Sequence, residues 1–322
     1  MAEPPACLRE GALNGKVSII GGAGRVGSNA AYALQLGRSC AEIVLVDLNM
    51  EMAQGEALDL LHGRAAVGGP RIAAGDYAAT AGSEVVVVTA GLRRRPDESR
   101  LQLLARNAAL FRDIVANVKQ HNPSPDTILL VVTNPVDVLT YLAVAELGWP
   151  QARTLGLGTV LDTQRFLSLL GERLGVDPSR LHGYILGEHG DSMVPIFNSL
   201  RYEGRPITSL PGYSEEAAQE AFAATRTAGA ECLRLKGGAG YAVGLAIRQV
   251  VDAVLGDTGA ILPVSTVHLG DDYGDVAFSL PTCVGRRGVI ELIETGLAEE
   301  EDRAVRASAE LLKQTLASLH AS

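Results

Sequence analysis

Aromatic side chains are scarce in this chain of 322 residues: 4%, against 47% hydrophobic residues, with a single tryptophan. The core must therefore be aliphatic, as in sheets flanked by helices. Cysteine is equally sparse. Cys7, Cys40, Cys232 and Cys283 lie far apart with no C-x-x-C pair. That argues against a disulfide framework or a clustered metal site, and it points to reduced thiols in a cytoplasmic protein. Positive charge is in deficit, with a net charge of −9, which argues against nucleic-acid or anionic-membrane partners. Any pull on an anionic ligand must come from local arginines. No apolar run reaches membrane-spanning length. Residues 1–15 carry no leader pattern and read as an N-terminal tail.

What is present begins with a short apolar run, Lys16–Ile20, which reads as a buried strand. It leads into a G-x-G-x-x-G turn spanning Gly22, Ala23, Gly24, Arg25, Val26 and Gly27, followed by a helical stretch at 28–34. Glycines there permit a tight turn and let a pyrophosphate approach the backbone amides at a helix N-terminus. A second apolar run at 43–46 ends on Asp47, 20 positions beyond Gly27. A carboxylate at that spacing suits the adenosine ribose hydroxyls of NAD and would repel the extra phosphate of NADP. The blander role for Asp47 is a cap on the next helix.

Periodicity then predicts a helix over 50–62, a β-branched strand over 84–89, a helix over 101–118, a strand over 127–132 and a helix over 136–147. Strands alternating with helices imply a Rossmann-type, doubly wound parallel sheet over 16–150. Gly22, Asp47, Thr89 and Asn134 fall at strand ends, where such sheets bind ligands. Residues 151–322 read as an α+β catalytic domain. Its expected helices cover 162–174, 214–236, 241–255 and 299–319, with strands near 182–186, 261–267 and 277–284.

The chemistry is suggested by Gly187-Glu188-His189-Gly190-Asp191-Ser192, read with Asp162-Thr163-Gln164-Arg165 27 positions before His189. His189 and Asp162 would form an acid/base pair if the fold joins them. Arg165, three residues past Asp162, projects from the same helix face and can clamp a carboxylate. Those parts suit oxidation or reduction of a hydroxy or keto acid. Asp162 could instead be only an N-cap, and Arg93 to Arg95 only a solvated charge run. His62, His121, His268 and His320 read as structural or surface groups.

Taken with Thr89-Ala90-Gly91, Glu98-Ser99-Arg100 and Thr133-Asn134-Pro135, these motifs resemble the lactate/malate dehydrogenase superfamily, in order, from about Lys16 onward. The resemblance implies His189 as proton acceptor and donor, Asp162 as its partner, and Arg165 on the substrate's C1 carboxylate. It further implies Arg100 on the carbonyl from a mobile loop and Asn134 on substrate and nicotinamide ribose. Gly22 to Gly27, Asp47, Asn107, Val132, Thr133 and Asn134 match the family's NAD contacts. A homodimer or homotetramer is implied too, and with no ligand-like grouping of the cysteines no metal is expected.

The choice of acid turns on the position six residues before Arg100, which is glutamine in most lactate enzymes, arginine in malate enzymes, and Arg94 here. A guanidinium closed over a methyl would be stranded, whereas over a carboxylate it is paired. Ala239, where lactate enzymes usually have threonine, also leaves room for a larger substrate. The expectation is therefore malate and oxaloacetate, as in the tricarboxylic acid cycle, with lactate and pyruvate as the alternative. Glu98 and the 158–163 segment look more like lactate enzymes, and the register leaves Arg93 or Arg95 as possible readers. His182 matches one residue of the fructose-bisphosphate site of bacterial lactate enzymes, but Leu167 stands where an arginine is expected. An NAD-dependent glycosidase lacks its cysteine ligand near His189. A non-catalytic NAD sensor would need no proton relay. No Tyr-x-x-x-Lys supports short-chain dehydrogenase chemistry.

Overall fold

The computed structural model describes residues 13–320 apart from 94, 96 and 295. Its first half runs β1 (Lys16–Ile20), α1 (Arg25–Gly37), β2 (Glu42–Val46), α2 (Met50–Val67) and β3 (Arg71–Gly75). β4 (Val85–Val88), α3 (Arg100–His121), β5 (Ile128–Val131) and α4 (Val136–Ala145) follow. Next come β6 (Thr154–Gly156), α5 (Val160–Leu174), β7 (Leu181–Leu186), β8 (Val194–Tyr202), β9 (Arg205–Pro206), α6 (Glu215–Lys236) and α7 (Tyr241–Leu255). The chain closes with β10 (Ala260–Leu262), β11 (Ser265–His268), β12 (Val276–Ser279), β13 (Thr282–Gly285), β14 (Gly288–Leu292) and α8 (Glu299–His320).

One sheet of eight strands dominates, in the order β12-β11-β6-β5-β4-β1-β2-β3. β6 to β3 pair in parallel, and β11 and β12 add antiparallel. The doubly wound parallel sheet is therefore present, and three of its strands come from beyond residue 150. Strand order reverses between β1 and β4, which opens the crevice where such sheets hold a dinucleotide.

Side-chain alternation builds the core on both faces. Val85 and Val87 of β4 pack on the face that carries α1 and α7. Val86 and Val88 pack on the opposite face, under α3, α4 and α8. Every residue of β4 and β5 is buried, as a strand covered on both faces requires. A third, smaller core around Phe166, Leu170, Ile185 and Leu200 joins α5 to β7 and β8.

Two expected strands are each divided. The 261–267 run becomes β10 and β11, and the 277–284 run becomes β12 and β13. Pro263 and Pro281 stand in the gaps, and proline cannot donate to a ladder. At each proline the chain crosses between the large sheet and the small β10-β13-β14 sheet.

Candidate active site

The glycine turn folds as it does because larger residues would not fit. A Cβ on Gly22 would stand 2.8 Å from Leu45 Cβ, and one on Gly27 would stand 2.9 Å from Gly22 Cα. Gly24 caps α1 without a side-chain hydrogen bond, so the first amides of the helix are left for a ligand. Asp47 leaves β2 beside this turn and accepts from Ala23 N at 3.1 Å and Asn49 N at 3.0 Å. Asn49, not Asp47, caps α2. Two of the carboxylate's four lone-pair positions are thus used, and the rest suit ribose hydroxyls. The residues present fit a dinucleotide.

A cleft of about 570 Å³ runs from this turn to His189. Gly24, Arg25, Val26 and Gly27 line one end, Val132, Thr133, Asn134 and Asn107 the middle, and Arg165 with His189 the other end. Asn107, on α3, ties the middle together. It accepts from Leu92 N at 2.8 Å and donates to Asn134 O at 3.3 Å.

His189 and Asp162 come together. Nδ1 of His189 lies 2.5 Å from Asp162 Oδ2, and Arg165 Nη1 donates to Asp162 Oδ1 at 3.1 Å. Asp162 is 1% exposed and lies in the first turn of α5. Thr159 occupies the N-cap, so capping is not the role of Asp162. Burial works against the charged imidazole, but the Asp162 charge and hydrogen bond outweigh it and push the His189 pKa above its ordinary value. Conversely, burial raises Asp162, and the facing His189 and Arg165 more than offset this, holding its carboxyl below the usual range. An imidazole anchored at Nδ1 leaves Nε2 to take or return a proton.

The loop arginines lie differently. Arg100, the first residue of α3, is 87% exposed and pairs with Asp191 at 3.8 Å, outside the cleft lining. Arg93 lines the cleft, and Arg95 donates its backbone N–H to Glu98 at 3.0 Å. Arg94, expected to read the substrate's far end, lies outside the described residues. Glu98 is held below the usual carboxylate range, first by the hydrogen bond from Arg106 and then by that from the Arg95 backbone.

Asp137 escaped the reading of the sequence. Buried on α4, it accepts from His189 N at 2.8 Å. A lone acid in the apolar helix Val136–Ala145, three residues past Asn134, was the available signal. Leu161 and Val243 also line the cleft unannounced. Leu167 and His182 line a separate cavity of about 500 Å³, in which Arg248 is paired with Asp252 at 3.1 Å. Among the described residues no three His, Cys, Asp or Glu side chains are grouped to hold a metal ion, and no helix is long and apolar enough to cross a membrane.

Family models match nearly the whole chain. Residues 15–156 match the lactate/malate dehydrogenase NAD binding domain, and residues 159–322 match the lactate/malate dehydrogenase alpha/beta C-terminal domain. An L-lactate dehydrogenase of Salinibacter ruber is 45% identical over 305 residues, covering 92% of this chain and 96% of that protein. An L-lactate dehydrogenase of Synechococcus sp. is 43% identical over 306 residues, covering 94% of this chain and 99% of that one. Among solved structures, a lactate dehydrogenase from a Medee basin deep-sea metagenome library superposes with a TM-score of 0.90 at 33% identity, covering 96% and 99% of the two chains. A malate dehydrogenase of Picrophilus torridus gives 0.88 at 31% identity, covering 95% and 97%, so the backbone fold does not separate the two activities.

The relatives overturn the expectation of malate and oxaloacetate. Curated relatives at 40–45% identity over most of the chain are named L-lactate dehydrogenases. The electrostatic argument for malate required a loop guanidinium to lose its water. Arg93 and Arg95, the arginines of that run within the described residues, are both exposed. Neither guanidinium is buried in this conformation, so the loop itself gives no support to a dianionic substrate. Ala239 does line the cleft, yet room alone does not select a dianion. With the glycine turn and His189 lining one cleft, and Asp47 hydrogen-bonded to that turn, NAD is the cofactor, the activity is that of an NAD-dependent 2-hydroxy acid dehydrogenase, and the chain belongs to the lactate/malate dehydrogenase family.

Proposed function

We propose that this chain is an L-lactate dehydrogenase, interconverting pyruvate and L-lactate. One observation carries the choice of acid: relatives matching more than nine-tenths of the chain are named for that activity. NAD, when bound, supplies the hydride acceptor. Neutral His189 takes the hydroxyl proton of lactate, and its imidazolium returns that proton to the oxygen when pyruvate is reduced. Asp162 fixes the ring and stabilises the imidazolium, supported by their 2.5 Å contact. Arg165 clamps the C1 carboxylate from the same helix turn. Arg100 stabilises charge developing on the carbonyl oxygen once the loop brings it over the cleft, and Asn134 positions substrate and nicotinamide ribose. The glycine turn, Asp47 and Asn107 hold the cofactor. Residues 16–150 form the cofactor domain and 151–322 the catalytic domain in this reading. Assembly as a homodimer or homotetramer and a cytoplasmic location are part of the same proposal.

Steady-state NADH oxidation with a panel of 2-keto acids tests it. A higher kcat/KM for pyruvate than for oxaloacetate or longer keto acids is expected. A preference for another keto acid, or no turnover of any, would overturn the reading.

A further inference from the structure

His189 is gripped twice, by carboxylates from two different helices. Asp162 of α5 takes its ring at Nδ1, whereas Asp137 of α4 takes its backbone N–H. Asp137 is 2% exposed, and its second oxygen, Oδ1, has no hydrogen-bond partner. Burying a carboxylate with a free oxygen is costly, and an amide would make the same bond to a backbone N–H without the charge. The ionised acid is therefore a poor choice for structure alone. Its location gives it another use. α4 begins directly after Asn134 and Pro135, so one short segment carries both a cleft-lining side chain and the group that holds His189.

Resting on the reading of His189 as the proton carrier, we propose that Asp137 is a positioning residue for proton transfer. It holds the His189 main chain while Asp162 holds the ring, and it adds a second negative charge that favours the imidazolium.

The surroundings support this. Facing Asp137 are His189 and the Glu188 carboxylate from the loop after β7, and the Ser265 hydroxyl from β11. Ser265 Oγ stands near the carboxylate but outside ordinary hydrogen-bond geometry, so its bond to Asp137 is weak and offsets only part of the cost of burial. Burial pushes the Asp137 carboxyl up to about 6, against the opposing pull of Ser265 and His189. In turn the Asp137 charge raises the proton affinity of His189. The rest of the loop is pinned independently. Ser308 of α8 accepts from Glu188 N at 2.8 Å, and Gly187 bridges to Ser279. Removing the Asp137 charge should therefore act on the imidazole without releasing the loop.

Asp137→Asn, in the full-length enzyme assayed with pyruvate and NADH, separates the two roles. The carboxamide oxygen still accepts from His189 N, so NADH affinity should match the wild type. The melting temperature at pH 8 should not fall, because a buried charge has been removed. Pyruvate reduction requires the imidazolium, so the alkaline limb of kcat/KM should move to lower pH by roughly one unit. Asp137→Ala, which also removes the acceptor, should lower kcat on the order of 10²-fold. An Asp137→Asn enzyme with the wild-type limb and kcat overturns the inference, as does one that is merely less stable. If that variant does not fold, the NMR titration of the wild-type His189 imidazole decides. Two inflections, one near pH 6, are expected, and a single inflection overturns the inference. His189→Gln separates this from the underlying reading: wild-type turnover in that variant would dismiss the proton-carrier role itself, with or without Asp137.

Discussion

Two histidines in this molecule make nearly the same contact and respond in opposite directions. His189 Nδ1 lies 2.5 Å from Asp162, and His268 Nδ1 lies 2.6 Å from Asp271. Yet the His189 pKa is pushed up and that of His268 down. The difference lies in what surrounds each pair. Asp162 is 1% exposed, so its charge is little screened, and Asp137 adds a second charge beside the same ring. The Asp271 side chain is 42% exposed, and His268 stacks on Phe278 at 4.7 Å, with Tyr273 edge-on at 5.3 Å. Burial among aromatic rings disfavours the imidazolium there, and a watered carboxylate does not restore it. A histidine–aspartate contact is therefore not in itself a proton relay. A dry carboxylate and an open cleft make one of the two a site, while the other is a hairpin fastening between β11 and β12.

Breaking the first pair should have the largest effect. His189→Gln is expected to lower kcat/KM for pyruvate on the order of 10³-fold, with NADH binding intact by fluorescence titration. Asp162→Asn should cost roughly 10²-fold and also move the alkaline limb of pyruvate reduction to lower pH, because the imidazole loses its largest supporting charge. Arg165→Lys should cost roughly 10–100-fold, chiefly in KM, since an ammonium cannot reproduce a bidentate grip on a carboxylate. The second pair should leave catalysis alone. His268→Gln is expected to keep kcat within about twofold and to lower stability by about 1 kcal/mol, read by urea unfolding. The pH slope sharpens the contrast. A depressed histidine contributes stability that is present above the unfolded value of 6.5 and lost as pH falls through its folded pKa. That acid-side loss should disappear in His268→Gln. His189, whose folded pKa is raised, contributes in the opposite sense: its stabilisation is present below 6.5 and lost as pH rises through the folded pKa.

Much of this site could be read in the residues before any coordinates. The glycine turn, Asp47 and the two runs holding His189 and Asp162 are local patterns, set by turn sterics and strand periodicity. β4 and β5, as continuous runs of valine, leucine and isoleucine, are equally plain. β3, β6, β8, β9 and β14 are not expected from the sequence. β6 has three residues, β8 contains Pro195 and Asn198, and β3 ends in Ala73-Ala74-Gly75, so none carries a long apolar pattern. Their pairing is set by neighbours distant in sequence. Asp137 was passed over for a similar reason: its importance comes from His189, which lies 52 residues away along the chain. The choice of acid failed differently. It rested on one arginine in a run of three, Arg94, which lies outside the described residues, and a residue type at a single loop position does not fix what the closed site touches.

The account depends on His189 being a proton carrier whose affinity the buried carboxylates raise. The pH dependence of kcat/KM for pyruvate reduction at saturating NADH measures this most directly. The expected profile falls on its alkaline side with an inflection above pH 6.5, as the imidazolium loses its proton. An inflection below 6.5, or a profile that His189→Gln reproduces unchanged, would contradict it.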